Sequence, residues 1–209
     1  MIAGLLPVII LGIHVTDRPF VTSLDARIWL HVVENYGGHK ALARHITMIG
    51  GLEGLLLISF TMAAVMFWNA RWRGVALAIV APTLATSITE YVLKPWINNA
   101  PWGVNTFPSG HATAAFSMAF VAVILVIGPS TPVRRVPLRW TIAFVAVSVA
   151  TAVAIALVVA GFHFATDTVG AAGTALAVVT ACALAIDAIS ESAWLRRRLH
   201  VREVLDARR

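Results

Sequence analysis

Residues 107–128 read FPSGHATAAFSMAFVAVILVIG, a short polar turn that runs straight into an apolar stretch. Counted from 109 to 128, that stretch has roughly the 20-residue length that crosses a hydrocarbon core as a helix. A helix is the expected form there because it satisfies every backbone N–H and C=O internally where no water is available. Five further stretches of the same character flank it: 1–15, 46–68 and 74–93 before it, 141–162 and 168–186 after it. The chain is therefore expected to be all-α, a bundle of six transmembrane helices. Composition agrees, with 59% hydrophobic and only 12% charged residues among 209 and a mean hydropathy of +0.83. A soluble domain usually has about 25% charged residues. One integral membrane domain, 1–209, accounts for the whole length, with no internal repeat, low-complexity tract or linker.

The first stretch is short. It lacks a basic leading region and has no small-x-small site before His14-Val15-Thr16-Asp17, so it reads as a retained span rather than a signal peptide. The net charge of +6 comes in clusters between apolar stretches, a pattern of membrane orientation and not of nucleic-acid binding. Arg71 and Arg73 flank the second connection, Arg134, Arg135 and Arg139 fill the fourth, and Arg196, Arg197, Arg198, Arg202, Arg208 and Arg209 fill the basic tail, 187–209. Six spans place all of these on one side, which becomes the cytoplasmic side and holds both termini. The expected location is the cell membrane, multi-pass. Cys182 is the single cysteine, which excludes an internal disulfide or a cysteine metal site.

Residues 16–45 are too polar to cross. Val21, Leu24, Ile28, Val32 and Val33 recur at helical spacing, with Asp25, Arg27 and Glu34 read as lying off that stripe, and Gly37-Gly38 placed to end the helix. The expectation is an amphipathic helix on the outer interface, with Trp29 and Tyr36 at headgroup depth.

Ionisable groups are costly in a bilayer, so their positions are informative. Three clusters stand at the outer ends of spans three to six. Glu90 and Lys94 are one helical turn apart and can pair. In Pro108-Ser109-Gly110-His111, Ser109 is a good N-cap, Gly110 lets a ligand approach the backbone, and the free N–H groups of the first turn favour an anion. His111 in that turn is placed to protonate a leaving oxygen. His163 and Asp167, four apart, can meet across one turn, so that the carboxylate orients one imidazole nitrogen and raises the basicity of the other. A histidine held so is a candidate nucleophile for phosphoryl transfer. Taken singly, each cluster also has a plain reading: a snorkelling lysine, ordinary capping, a polar pair that ends two helices. Nothing at metal-motif spacing supports a three-ligand set of His111, His163 and Asp167.

At these residues the chain resembles the type-2 phosphatidic acid phosphatase (lipid phosphate phosphatase) superfamily, related to the vanadium haloperoxidases. The signatures are Lys-x6-Arg-Pro, Pro-Ser-Gly-His and Ser-Arg-x5-His-x3-Asp. Lys94, Pro108-Ser109-Gly110-His111, and His163 with Asp167 match in order, spacing and side. The resemblance implies His163 as nucleophile, Asp167 as its orienting partner and His111 as general acid. It also implies phosphate binding by Lys94, Ser109 and Gly110, and no metal or cofactor. The substrate it implies is a membrane lipid phosphate or a polyprenyl diphosphate, taken from the extracytoplasmic side. Trp96, Trp102 and Phe107 are candidate linings of a lipid entrance.

The chain also departs from the pattern. Lys94-Pro95-Trp96-Ile97-Asn98-Asn99-Ala100-Pro101 is one residue short, with Ala100 in place of the arginine, and Ala156-Leu157 stand where the third signature has Ser-Arg. Arginine suits phosphate through its bidentate fork. Two missing charged donors weaken binding by roughly 3–6 kcal/mol. Lys94, the helix start, and Asn98 or Asn99 remain as donors, and Arg27 or Arg44 stands on the correct side to reach in. Two readings stay open: a phosphatase, and a catalytically impaired relative that binds a lipid headgroup or a partner membrane protein. A transporter fits less well, with no discontinuous repeat and no charged path through the spans.

Overall fold

A computed structural model describes residues 2–17, 21–101, 103–128 and 131–206, and of 2–3 and 193–206 it describes the backbone course alone. Arg18, Trp102 and the side chains of the tail arginines lie outside the described residues. Among the described residues every regular element is helical. These are α1 (Ile2–Val15), α2 (Ser23–Tyr36), α3 (Lys40–Thr47), α4 (Leu52–Trp68), α5 (Trp72–Ile88), α6 (Lys94–Ile97), α7 (Gly110–Ile127), α8 (Val136–Ala160) and α9 (Ala165–Asp206). Short 3₁₀ turns, Gly37–His39 and Met48–Gly50, flank α3, and a π-turn, Thr89–Leu93, joins α5 to α6.

Four helical stretches are long and apolar enough to cross a membrane: Trp72–Ile97, Gly110–Ile127, Val136–Ala160 and Ala165–Ser192. The segment Ser23–Gly50 and the helix Leu52–Trp68 join at a 47° bend and meet the same criterion only when taken together, as a broken span or a re-entrant loop, while the shorter apolar Gly4–Val15 corresponds to the first stretch of the sequence. The molecule is thus an all-helical membrane bundle compatible with the six-span expectation, its first member shorter than a full crossing.

Helix α7 sits in the middle, packed on α5, α8 and α9. Its contact face is built from small residues: Ala112, Ala115 and Ala119 meet Ala150, Val153, Leu157 and Ala171. In lipid there is no hydrophobic gain from bringing helices together, so close van der Waals packing of small side chains supplies the association. Helices α1 and α9 approach closer still. A Cβ added at Gly4 would lie 2.7 Å from the Gly173 carbonyl oxygen and 2.7 Å from the Ala177 nitrogen, so only glycine fits there.

The polar segment forms the expected helix, α2, which ends at Tyr36 against the Gly37–His39 turn. Its faces are assigned differently from the sequence reading. Asp25 is 3% exposed, whereas Leu24 and Leu30 are half exposed. The inward face therefore carries a carboxylate, and the cause is a set of hydrogen bonds to α9 described below.

Candidate active site

One end of the bundle gathers the start of α7, the turn between α8 and α9, and the π-turn that precedes α6. The α8–α9 turn begins at Gly161, whose φ of +79° places it in the left-handed region that glycine occupies at helix ends. The N–H groups of Phe162 and His163 then fold back onto the Leu157 carbonyl, at 3.0 and 3.4 Å. His163 Nδ1 lies 3.2 Å from Asp167 Oδ2, and the same oxygen accepts the Phe164 N–H at 3.0 Å. Asp167 is 1% exposed. A buried carboxylate facing Nδ1 favours the tautomer protonated there, leaving Nε2 with its lone pair.

The second cluster is tied to the third through the main chain: the Ser109 N–H donates to the Asp167 carbonyl at 3.1 Å. Ser109 is fully buried, and its Oγ caps α7 by accepting the Ala112 N–H at 3.3 Å. The next two N–H groups, of Gly110 and His111, have no partner among the described residues, so the helix start presents free donors with its dipole behind them. His111 is exposed. It lies within electrostatic range of His163, Glu90 and Lys94. A Cβ built on Gly51, just before α4, would lie 3.7 Å from His111 Nε2, so that loop walls the imidazole on one side.

The first cluster joins through a buried hydroxyl pair, Thr89 Oγ1 donating to Thr113 Oγ1 at 3.1 Å. This pins the π-turn against α7. Glu90 then holds Lys94 Nζ with both oxygens, at 2.8 and 2.9 Å. A side chain at Gly110 would run into the Glu90 carboxylate. His163, Asp167, His111, Ser109, Gly110 and Lys94 therefore belong to one end of the bundle, linked by three named contacts across helices.

Other expectations are corrected. Asn98 and Asn99 stitch the loop: Asn98 Nδ2 donates to Asp17 at 3.2 Å, Asn99 Nδ2 donates to the Val15 carbonyl at 3.2 Å, and Asn99 Oδ1 accepts Thr106 Oγ1 at 3.0 Å. Neither is a spare donor aimed at the site. Phe107 is fully buried beside Val15 and Ile97, against Gly170, as a core anchor and not an entrance lining. Trp96 is exposed, 78% of its surface accessible. Arg27 bonds its own helix, Nε to the Ser23 carbonyl at 3.3 Å. Arg44 does approach the site's turn, its guanidinium carbon 5.9 Å from the centre of the Phe162 ring. Leu157, the position of the second missing arginine, is 1% exposed in the apolar packing around Ala112.

Two residues escaped the sequence reading. Asp25 accepts the Thr166 N–H at 3.1 Å and the Thr166 hydroxyl at 2.7 Å, from 141 positions away. It thereby ties α2 to the first turn of α9, beside Asp167. Thr22 both caps α2 and donates to Asp25 at 2.8 Å. The Thr-x-x-Asp spacing was a visible capping signal. Its long-range partner was not visible.

Among the described residues no three His, Cys, Asp or Glu side chains gather as they would around a metal ion. A cavity of about 630 Å³ lies at the opposite end of the bundle, between Met66, Arg71, Leu77, Ile124 and Asp187, and shares no residue with this cluster.

The solved structure of a transmembrane PAP2-type phosphatidylglycerolphosphate phosphatase from Bacillus subtilis has a similar fold. Its TM-score is 0.68 at 23% identity, and the match covers 91% of this chain and 96% of that one. No curated protein matches the chain by sequence. The sequence model of the PAP2 superfamily matches residues 3–190, nearly the whole bundle and all three clusters, and the chain belongs to that superfamily.

Proposed function

We propose that the chain is a membrane phosphatase that hydrolyses a lipid phosphate or a polyprenyl diphosphate through a phosphohistidine. The observation that carries the reading is the His163–Asp167 pair, held by a buried carboxylate whose backbone also receives the Ser109 N–H of the helix start. His163 Nε2 attacks the terminal phosphorus with its lone pair as the P–O bond to the leaving oxygen breaks. His111, protonated, gives its proton to that oxygen, and the alcohol or phosphate leaves. Water then attacks the phosphohistidine, passing its proton to His111, and inorganic phosphate departs with cleavage of the P–N bond. Asp167 stays ionised throughout and stabilises the imidazolium-like charge on His163. Lys94, Ser109 Oγ and the N–H groups of Gly110 and His111 neutralise the phosphate oxygens. Arg44 supplies a cation on the rim in place of the absent arginines.

In this reading the site faces the extracytoplasmic side, with both termini cytoplasmic and α2 lying on the outer interface. The six-span parity of the arginine clusters supports that orientation. Phosphate release from phosphatidic acid, phosphatidylglycerol phosphate and a polyprenyl diphosphate, measured on purified protein, tests the activity. A wild type no faster than His163→Ala on all three sinks it. In that event the remaining reading is a headgroup- or partner-binding relative, which the buried, apolar Leu157 favours.

A further inference from the structure

The site is poor in positive charge. Where the resemblance expects arginines the chain has Ala100 and Leu157, and Leu157 is sealed in apolar packing. Lys94 is present but engaged by both oxygens of Glu90. The same carboxylate stands against Gly110, in the space a side chain there would need, and within electrostatic range of His111. It therefore lies beside the donors that a helix start offers to an anion. Glu90 competes with an incoming phosphate twice, for the lysine and for the position. Its side chain is 39% exposed, against 16% for Lys94, so it has room to turn away toward solvent.

We propose that Glu90 is a specificity-determining residue that limits the charge of the phosphate this site accepts, so that a lipid phosphomonoester is taken in preference to a lipid diphosphate. The proposal rests on the phosphatase reading and narrows it. Lys94, Glu90 and Asp167 sum to one net negative charge, so the positive charge a phosphate meets beyond Lys94 comes only from the proton on His111 and from Arg44 at the rim, and Glu90 cancels one unit of it. Repulsion by the surplus carboxylate grows with the ligand's own charge. At a partly hydrated helix end it disfavours each added negative charge by on the order of tenfold. A diphosphate carries more charge than a monoester at neutral pH and suffers the larger loss. Glu90 lies four residues before Lys94, inside the π-turn. A π-turn re-aims side chains relative to a regular helix, which is how this carboxylate comes to lean on α7.

The test uses the full chain with Glu90→Gln and Glu90→Asp. Turnover of a lipid monophosphate and a polyprenyl diphosphate is compared, with inorganic phosphate and pyrophosphate as competitors. The wild type is expected to favour the monophosphate. Glu90→Gln should move the ratio toward the diphosphate by about tenfold and tighten pyrophosphate more than phosphate, while Glu90→Asp, which keeps the charge, retains the preference. A ratio unchanged in Glu90→Gln, or a wild type that prefers the diphosphate, overturns the proposal. Ligand-induced thermal shifts on the His163→Ala background separate this from the phosphatase reading. Pyrophosphate stabilising Glu90→Gln/His163→Ala more than His163→Ala supports the role of Glu90 even if no protein turns over. Equal stabilisation refutes it.

Discussion

Replacing Asp25 with alanine should loosen the His163–Asp167 turn from a distance, and the size of the effect follows from the contacts. Asp25 is 3% exposed and accepts two hydrogen bonds from Thr166 and one from Thr22. Its bond to the Thr166 N–H satisfies a donor in the first turn of α9 and works as an N-cap supplied by another helix. Losing a cap costs about 0.5–2 kcal/mol. Stranding the buried Thr166 hydroxyl adds about 1–3 kcal/mol. Together Asp25→Ala should destabilise by roughly 2–4 kcal/mol, a fall in melting temperature of roughly 5–15 °C for a chain of this size. Asp25→Asn keeps one acceptor oxygen for the Thr166 N–H but puts an amide NH2 where Oδ2 accepts the Thr166 and Thr22 hydroxyls, so it should cost roughly 1–3 kcal/mol. The assay is thermal unfolding in detergent or nanodiscs, run with Thr166→Val as the second arm of a double-mutant cycle. A coupling of at least about 1 kcal/mol is expected for residues that share these bonds. Additive Asp25 and Thr166 effects, or an Asp25→Ala protein that melts within a degree or so of wild type, would refute the latch between α2 and α9.

Gly110→Ala should leave the bundle folded but cut phosphate release by tenfold or more, because the added methyl displaces the Glu90 carboxylate and with it Lys94; unchanged kinetics would count against the placement of Glu90. Leu157→Arg should unfold at lower temperature, since it puts an unpaired charge at a position 1% exposed, at about 3–5 kcal/mol. Inorganic phosphate should recover part of that loss if the new guanidinium reaches the site, and a variant as stable as wild type without phosphate would contradict the packing described. Arg44→Ala should weaken substrate binding several-fold with a stability cost of only about 0.5–1 kcal/mol from the lost stack on Phe162; KM and kcat measured separately check this.

The membrane bundle was legible because apolar length is a physical requirement of crossing lipid, and the run after Ser109 met it without tertiary help. The paired histidine and aspartate were legible for a similar reason: a separation of four is set by helix geometry alone. What the sequence hid was long-range. Asp25 sits three residues before Ile28, on the same face, yet reads as lying off the apolar stripe because the partner that buries it, Thr166, is 141 positions away. Asn98 and Asn99 looked like spare donors because nothing local shows that Val15, Asp17 and Thr106 consume them. Phe107 looked interfacial because an aromatic next to a helix start often is, yet Gly170 on α9 opens a place for its ring. Close approach of Glu90 to Gly110 depends on a π-turn, which has no reliable local code.

The most direct test of the central claim is capture of the covalent intermediate. Purified protein is mixed with a lipid monophosphate radiolabelled at phosphorus and quenched within a single turnover. A phosphohistidine on His163 predicts label that is stable to alkali, lost in acid, mapped to the peptide containing His163-Phe164-Ala165-Thr166-Asp167, and absent from His163→Ala. Label of the same amount in His163→Ala, or steady phosphate release with no labelled protein at any quench time, would contradict it.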